Sequence, residues 1–245
     1  MPRDTSEPTR PGRLLHESRP AKVAELLVVF VGPIGLLVAV APLAGGDPLR
    51  FQILVAGSNV LMLALIWTGL RLRGQDWSHF GLRFSRPTPR AAFRAFGTSL
   101  LVFVVAVIAF LVGAVVAANI FGVPEGPDTS GYAYMSGNLP MLILALSVAY
   151  VVSSFGEEAV YRGFLINRIA ELAAGPGRWM LAVVGSSVLF GLAHFSWGPS
   201  GMVQTGFMGL ALGAAYLRLG RNLWLTVLAH AYMDTILFVQ MYLAG

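Results

Sequence analysis

Three groups of ionisable side chains lie inside apolar stretches of this sequence. The first group is Glu157, Glu158 and Arg162, within the run FGEEAVYRGFL at 155–165. A charge inside a membrane helix costs several kcal/mol unless it is paired or faces a polar cavity. Three charges within six residues therefore indicate a paired network, a polar site, or both.

The spacing within this first group distinguishes its two glutamates. Glu158 and Arg162 are four residues apart with the acid on the N-terminal side, which is the favourable orientation for a helical ion pair. Glu157 is rotated by about 100° from its neighbour on an ideal helix and lacks this partner. An unpaired, buried carboxylate is suited to general-base chemistry, so we interpret Glu157 as reactive and Glu158 as structural.

The second and third groups have the same i, i+4 spacing. They are Phe190 with His194 and His230 with Asp234, and in each case both members lie on one helix face. Phe190 is interpreted as a packing residue. A lone histidine in a membrane helix is about as often a packed, hydrogen-bonded residue as a functional one, but the complete set favours a functional site.

The composition defines the setting of these groups. Of 245 residues, 56% are hydrophobic and 12% are charged, whereas soluble domains carry about 25% charged residues. The apolar residues form continuous blocks of roughly 18 to 25, the length of a membrane-spanning helix, and not the alternating pattern of a β-barrel. The absence of cysteine excludes disulfides, thiolate metal sites and a cysteine nucleophile.

The sequence therefore predicts an all-α fold, a polytopic transmembrane helical bundle of about seven spans, with six to eight possible. The spans are expected at 23–43, 51–70, 95–121, 139–160 continuing as helix to 172, 178–195, 202–217 and 222–243. A disordered basic cytosolic tail is expected over 1–20 and a single membrane-embedded domain over 21–245. The glycine-rich third and sixth spans suit close helix packing.

Basic residues flank the apolar blocks, and such residues prefer the cytoplasmic side of a membrane. Seven spans then place the amino terminus in the cytoplasm and the carboxyl terminus outside. The helical hairpin around 172–178 is expected to bring Glu157 and His194 to one depth, opening towards the cytoplasm. Sixteen of the seventeen basic residues are arginine, which indicates a GC-rich bacterial genome and a protein of the bacterial plasma membrane.

Taken in order, the three groups resemble the motifs of the CAAX protease and bacteriocin-processing family, also called the Abi family of intramembrane proteases, which includes type II CAAX prenyl endopeptidases. The family's motifs are two glutamates with a following arginine, Phe-x-x-x-His, and His-x-x-x-Asn or Asp. In this sequence they are Glu157-Glu158-x-x-x-Arg162, Phe190-x-x-x-His194 and His230-x-x-x-Asp234. The resemblance covers about 139–243, which would be the catalytic core.

The resemblance implies hydrolysis of a peptide bond near the cytoplasmic side of the membrane. It implies that Glu157 with His194 activates the water. Glu158 with Arg162 would position the helix, and His230 with Asp234 would stabilise the oxyanion. An asparagine amide can donate to an oxyanion, whereas an aspartate cannot unless it is protonated. Asp234 could instead orient His230.

No cofactor is expected, but a zinc-dependent version of the same protease remains an alternative. Its ligands would be the nitrogen- and oxygen-bearing side chains that suit zinc, namely Glu157, His194, His230 and Asp234. The chain contains no His-Glu-x-x-His motif. We favour the metal-free mechanism.

Two further functions use the same residues differently. Intramembrane Glu, Arg, His and Asp side chains could form the relay of a proton-coupled transporter, although no inverted repeat is present. A non-catalytic immunity or scaffold protein could retain them as a structural network. The expected partners are membrane lipid and a peptide or membrane-protein substrate, without nucleic acid, and the sequence leaves the oligomeric state open.

Overall fold

The computed structural model describes residues 7–83, 86–123 and 130–244, and these residues form helices without β-strands. The α-helices are α1 (Arg10–Glu17), α2 (Arg19–Val40), α3 (Pro48–Leu72), α4 (Pro89–Phe121), α5 (Leu139–Ala149), α6 (Ile166–Leu172), α7 (Arg178–Ala193), α8 (Gly198–Arg218) and α9 (Leu223–Leu243). A π-helical segment, Tyr150–Leu165, joins α5 to α6, and short 3-10 turns occupy Ala41–Ala44, Trp77–Phe80, Ser130–Met135 and Phe195–Trp197.

The length and composition of these helices confirm an all-α membrane bundle. Within the described residues, five helices are long and apolar enough to cross a membrane: Arg19–Ala44, Pro48–Leu72, Pro89–Phe121, Leu139–Leu172 and Leu223–Leu243. They correspond to the first four predicted spans and the last one.

The predicted fifth and sixth spans differ from the structure. The helices Arg178–Ala193 and Phe195–Arg218 qualify only as a pair, bent by 61° at their junction. One reason is that α7 has 16 residues, about 24 Å at 1.5 Å per residue, against a hydrocarbon core of about 30 Å. The described part of the chain thus supports five or six spans where the sequence predicts about seven. The carboxyl terminus lies outside, as predicted, if the number of spans is odd.

The amino-terminal segment is more ordered than predicted. The Thr9 side chain caps α1 at the Gly12 amide, and the Thr9 amide donates to the Leu72 carbonyl at the end of α3. Gly12 is buried. A Cβ there would collide with that same carbonyl, so only glycine fits at this position. The expectation of a disordered tail over 1–20 is therefore corrected for Arg10–Glu17, while residues 1–6 lie outside the described part.

Glycines allow the close packing that was predicted for the third and sixth spans, now α4 and α8. A Cβ at Gly113 of α4 would lie 2.9 Å from the Cα of Gln204 in α8. A Cβ at Gly191 of α7 would lie 2.5 Å from the Met202 carbonyl oxygen of α8. The backbone of α8 is therefore in near contact with both neighbouring helices, and larger side chains at these glycines would push them apart.

The π-helical segment Tyr150–Leu165 lies at the centre of the bundle. From residue 158 to residue 165 every side chain is buried. The segment ends with an i→i+5 hydrogen bond, from the Ile166 amide to the Tyr161 carbonyl. π-Helical turns are rare, are mostly a single turn long, and are frequent at functional sites.

The loop between α3 and α4 packs into the core instead of lying only at the membrane surface. Phe80 and Leu82 are fully buried, and the Phe80 ring packs edge-on against Phe164 of the π-helical segment. Gly81 has a φ of 85°, and any Cβ there would collide with the Arg221 carbonyl oxygen. This loop therefore packs directly against the central segment.

A buried ionic network ties the first helices to the end of the central one. Arg73, after α3, pairs with Glu25 of α2 and, at 3.1 Å, with Glu171 of α6. Arg168 of α6 pairs with Glu171 at 2.6 Å and lies 3.6 Å from Glu25. Glu25 was not identified as part of any polar cluster in the sequence, because its partners are distant along the chain.

Replacing Arg73 by methionine should destabilise the whole bundle. Glu25 would lose its closest cation while staying buried, and removing one member of a buried pair costs about 3–5 kcal/mol. Thermal unfolding of the full chain in detergent measures the loss. Arg71→Met, at an exposed arginine on the same helix end, is the matched control and should change the stability by less than about 0.5 kcal/mol. Equal effects of the two substitutions would contradict this account of the network.

Candidate active site

A fully buried ion pair connects the π-helical segment to α9. Arg162 Nη1 donates to Glu158 Oε1 at 2.7 Å, and both side chains are inaccessible to solvent. His230 Nδ1 lies 2.9 Å from the same Glu158 oxygen. The predicted i, i+4 pair is thus confirmed, and it has a third member that the sequence did not reveal.

This arrangement fixes the orientation and the tautomer of His230. Glu158 is paired with a guanidinium and accepts hydrogen bonds, so the Nδ1 of His230 is the donor. The opposite nitrogen, Nε2, lies 3.9 Å from Glu157 Oε2 and 3.8 Å from Asp234 Oδ1. His230 thus has one nitrogen in the buried ion pair and the other between two carboxylates.

The two carboxylates beside Nε2 are the more accessible acids of this cluster. The side chain of Glu157 is 18% exposed and that of Asp234 13% exposed, whereas Glu158 is completely buried. Glu157 Oε2 has no hydrogen-bond partner among the described residues. The distances of 3.8 and 3.9 Å are too long for direct hydrogen bonds and are compatible with a bridging water or a substrate atom.

Ser154 belongs to this cluster and was missed in the sequence. Its hydroxyl donates to Asp234 Oδ2 at 2.7 Å, and the serine is fully buried. One turn earlier, the hydroxyls of Tyr150 and Thr235 are 2.8 Å apart. No sequence signal indicates these contacts, because they join helices about 80 residues apart and serine is common in membrane helices.

Phe190 is the packing centre of the site, as its interpretation predicted. The guanidinium carbon of Arg162 lies 4.3 Å from the centre of the Phe190 ring. The rings of His194 and His230 lie 4.8 and 6.4 Å from it. A cation over an aromatic face is stabilised by about 2 kcal/mol or more when both are shielded from water. Phe190 thus supports the structural cation and borders both histidines.

His194 lies at the bend between α7 and α8. Its Nδ1 is 2.8 Å from the Phe190 carbonyl oxygen, so Nδ1 donates and Nε2 is left as an acceptor in the neutral ring. Its ring also packs against Trp197 at 5.2 Å. In the described part of the chain, no hydrogen bond joins His194 to Glu157, and His230 is the histidine next to Glu157. That Glu157 and His194 act on one water molecule stays a prediction.

Tyr132 comes to the edge of the same cluster from the turn Ser130–Met135. Its ring lies 5.9 Å from that of Phe238 in α9. Burial raises the pKa of Tyr132, and the nearby Tyr134, Asp234 and Glu157 act in the same direction. The hydroxyl therefore stays protonated and able to donate at the edge of the site.

The proposed zinc ligands do not form a metal site in this arrangement. Among the residues that the structure describes, no three His, Asp or Glu side chains are placed to hold one ion. The Nδ1 atoms of His194 and His230 are both committed to hydrogen bonds. Each histidine nevertheless keeps Nε2 free, and a zinc-bound histidine commonly donates its other ring nitrogen. Zinc dependence therefore stays an alternative prediction.

The fold and this cluster together define an integral membrane protein of the all-α class, with ionisable side chains from three helices gathered inside the bundle. Residues 139–236 match the family model of type II CAAX prenyl endopeptidases, Rce1-like. This match supports the resemblance drawn from the three motifs and indicates a protease. No curated protein and no solved structure matches the chain.

The two adjacent glutamates should respond differently to substitution. Glu158→Gln leaves the buried Arg162 without its counter-ion and should lower the free energy of unfolding by about 3–5 kcal/mol. Glu157→Gln removes no ion pair with arginine and should leave the stability nearly unchanged. Thermal unfolding of both full-length variants in the same detergent measures the difference. A comparable loss in both would contradict the assignment of Glu158 as the structural acid.

Proposed function

We propose that the protein is an intramembrane endopeptidase that uses Glu157 as the general base for a water molecule. The observation that carries this proposal is the placement of Glu157 Oε2 beside His230 Nε2 at 3.9 Å, with Asp234 Oδ1 at 3.8 Å from the same nitrogen. A base without a hydrogen-bond partner then lies next to a nitrogen that can act as a donor. Peptide hydrolysis uses both a general base and a hydrogen-bond donor to the oxyanion.

The chemical step follows from these positions. Glu157 removes a proton from the water as the water oxygen attacks the peptide carbonyl carbon, and the carbonyl oxygen becomes an oxyanion. His230, protonated at Nε2, donates a hydrogen bond to that oxyanion. When the tetrahedral intermediate collapses, the C–N bond breaks and the protonated Glu157 returns its proton to the leaving amine. The products are one carboxyl terminus and one amino terminus.

The remaining side chains support this step without taking part in bond making. The carboxylate of Glu158 stabilises the positive ring of His230 through Nδ1, and Arg162 keeps Glu158 ionised. Asp234 adds negative charge near the same ring and therefore also favours its protonated form. His194 offers its free Nε2 as an acceptor for the second hydrogen of the water. Trp197 and Phe190 hold the His194 ring in place.

The substrate class is a peptide segment that can reach a site inside the bundle, in a small peptide or in a membrane protein. The family match includes prenyl endopeptidases, so a farnesylated CAAX peptide and its unprenylated counterpart are suitable first probes. We place cleavage on the cytoplasmic side, where the basic loops are expected.

Glu157→Gln should abolish cleavage while preserving the fold. Loss of a general base lowers the rate by about 10²–10⁴-fold. Quantitative proteomics of membranes that contain the wild-type or the variant protein will detect the peptide fragments that depend on Glu157. Glu17→Gln, at an exposed glutamate of α1, is the matched control and should produce the wild-type fragments. Fragments that persist with Glu157→Gln would overturn the protease mechanism. Proton movement by the wild-type protein in liposomes, without any fragments, would favour the transporter instead.

Cleavage should also be independent of bound metal. Purified protein treated with a chelator and passed into metal-free buffer should keep its activity, and metal analysis should find less than one equivalent of zinc. Loss of activity on chelation that zinc restores would establish the zinc-dependent version. The side chains of Glu157, His194, His230 and Asp234 would then have to move to a common centre from the positions that the structure describes.

A further inference from the structure

The Asp234 carboxylate stops short of a hydrogen bond to His230 Nε2. The two residues are four apart on α9, so their side chains share one face. Asp234 Oδ1 nevertheless lies 3.8 Å from His230 Nε2, about 1 Å longer than a charge-assisted hydrogen bond. A carboxylate and a histidine so close together inside an apolar bundle would normally close this gap.

Ser154 accounts for the gap. Its hydroxyl donates to the other oxygen of Asp234, Oδ2, at 2.7 Å from the π-helical segment on the opposite side. Within the described residues this is the one hydrogen bond that Asp234 makes. The serine side chain is short and fully buried, so its oxygen has little freedom to follow Asp234 towards α9. The carboxylate is thus held by one oxygen while the other remains short of Nε2.

We propose that Ser154 is a positioning residue that keeps the Asp234 carboxylate from closing onto His230 Nε2. This inference rests on the proposed function, in which Nε2 must be free to donate to the oxyanion. Without the serine hydroxyl, Asp234 bonds Nε2 directly and removes the donor that the reaction needs. The serine would then act on the rate through Asp234 and not by touching the substrate.

The neighbouring contacts allow the positioning role of Ser154 to be separated from a role in folding. The hydroxyls of Tyr150 and Thr235, 2.8 Å apart, join the same two elements one turn away. The hydrogen bond from His230 Nδ1 to Glu158 joins them one turn further along the π-helical segment. Ser154→Ala therefore removes one oxygen from an interface that is fixed on both sides, and the helices should keep their spacing.

A double-mutant cycle tests the proposal by rates. Ser154→Ala should reduce fragment formation about 10- to 100-fold, the cost of breaking a charge-assisted hydrogen bond before each turnover. In the background of Asp234→Asn, whose amide carries no charge, the same serine substitution should cost less than about threefold. Ser154→Thr, which keeps the hydroxyl, should restore most of the activity. Ser187→Ala is the control, because Ser187 is also buried and, among the residues that the structure describes, its hydroxyl bonds the Val183 carbonyl of its own helix and nothing else.

Two results would overturn the proposal. One is a Ser154→Ala variant within about twofold of the wild-type rate. The other is an equal loss in the aspartate and asparagine backgrounds, which would indicate a purely structural serine. Unfolding temperatures of all variants, measured in the same detergent, exclude misfolding as the cause of any loss.

An NMR measurement of the histidine ring nitrogens tests the same contact without cleavage. In full-length protein, Ser154→Ala should shift the Nε2 resonance of His230 as Asp234 closes onto it, and Ser187→Ala should not. An unchanged Nε2 resonance would overturn the proposal. If Ser154→Ala shifts the Nε2 resonance as expected but the wild-type protein cleaves nothing, the proposed function is refuted and the positioning of Asp234 is still established.

Discussion

The buried carboxylate of Glu158 is the interaction on which the site depends. An isolated charge inside a helical bundle is too costly to retain, so the fold must supply its partners. One partner, Arg162, comes from the same helix and the other, His230, comes from α9, 72 residues further along the chain. Satisfying one charge therefore fixes how two helices face each other and which nitrogen of His230 points to Glu157. The geometry of the candidate site therefore follows from the need to compensate a structural charge.

The two adjacent glutamates illustrate how one short segment can hold two environments. The Glu158 side chain turns into the packed interior, where Phe190 covers the guanidinium of Arg162. The Glu157 side chain turns towards the partly accessible region beside Asp234. The intervening backbone is π-helical from Tyr150 to Leu165. Because such turns are rare and frequently lie at functional sites, its presence at these residues agrees with the role proposed for them.

What the sequence could predict was mostly local. The ion pair of Glu158 with Arg162 and the helical membrane segments follow from spacing and hydrophobicity, which depend on neighbouring residues only. The bond between His230 and Glu158, the serine that holds Asp234 and the buried pair of Glu25 with Arg73 join distant parts of the chain, and no periodicity records them. The bend after α7 was also hidden, because a long apolar stretch with a short interruption resembles two complete spans. The three ordered motifs supplied the long-range information that periodicity lacks.

The ionic network of Glu25, Arg73, Arg168 and Glu171 extends beyond the region that matches the family model. The family match begins at residue 139, yet Arg168 and Glu171, which lie within the matched region, form their ion pairs with Arg73 and Glu25 outside it. Removing the first helices would take Arg73 and Glu25 away from Arg168 and Glu171 and leave those two residues only their ion pair with each other. The loop residue Phe80, which also precedes the matched region, packs directly on the π-helical segment. The matched region thus contains the candidate site, but its central helix depends for its packing and for part of its charge balance on the helices that come before it. A fragment that begins at residue 139 would lack these contacts and would not reproduce the site.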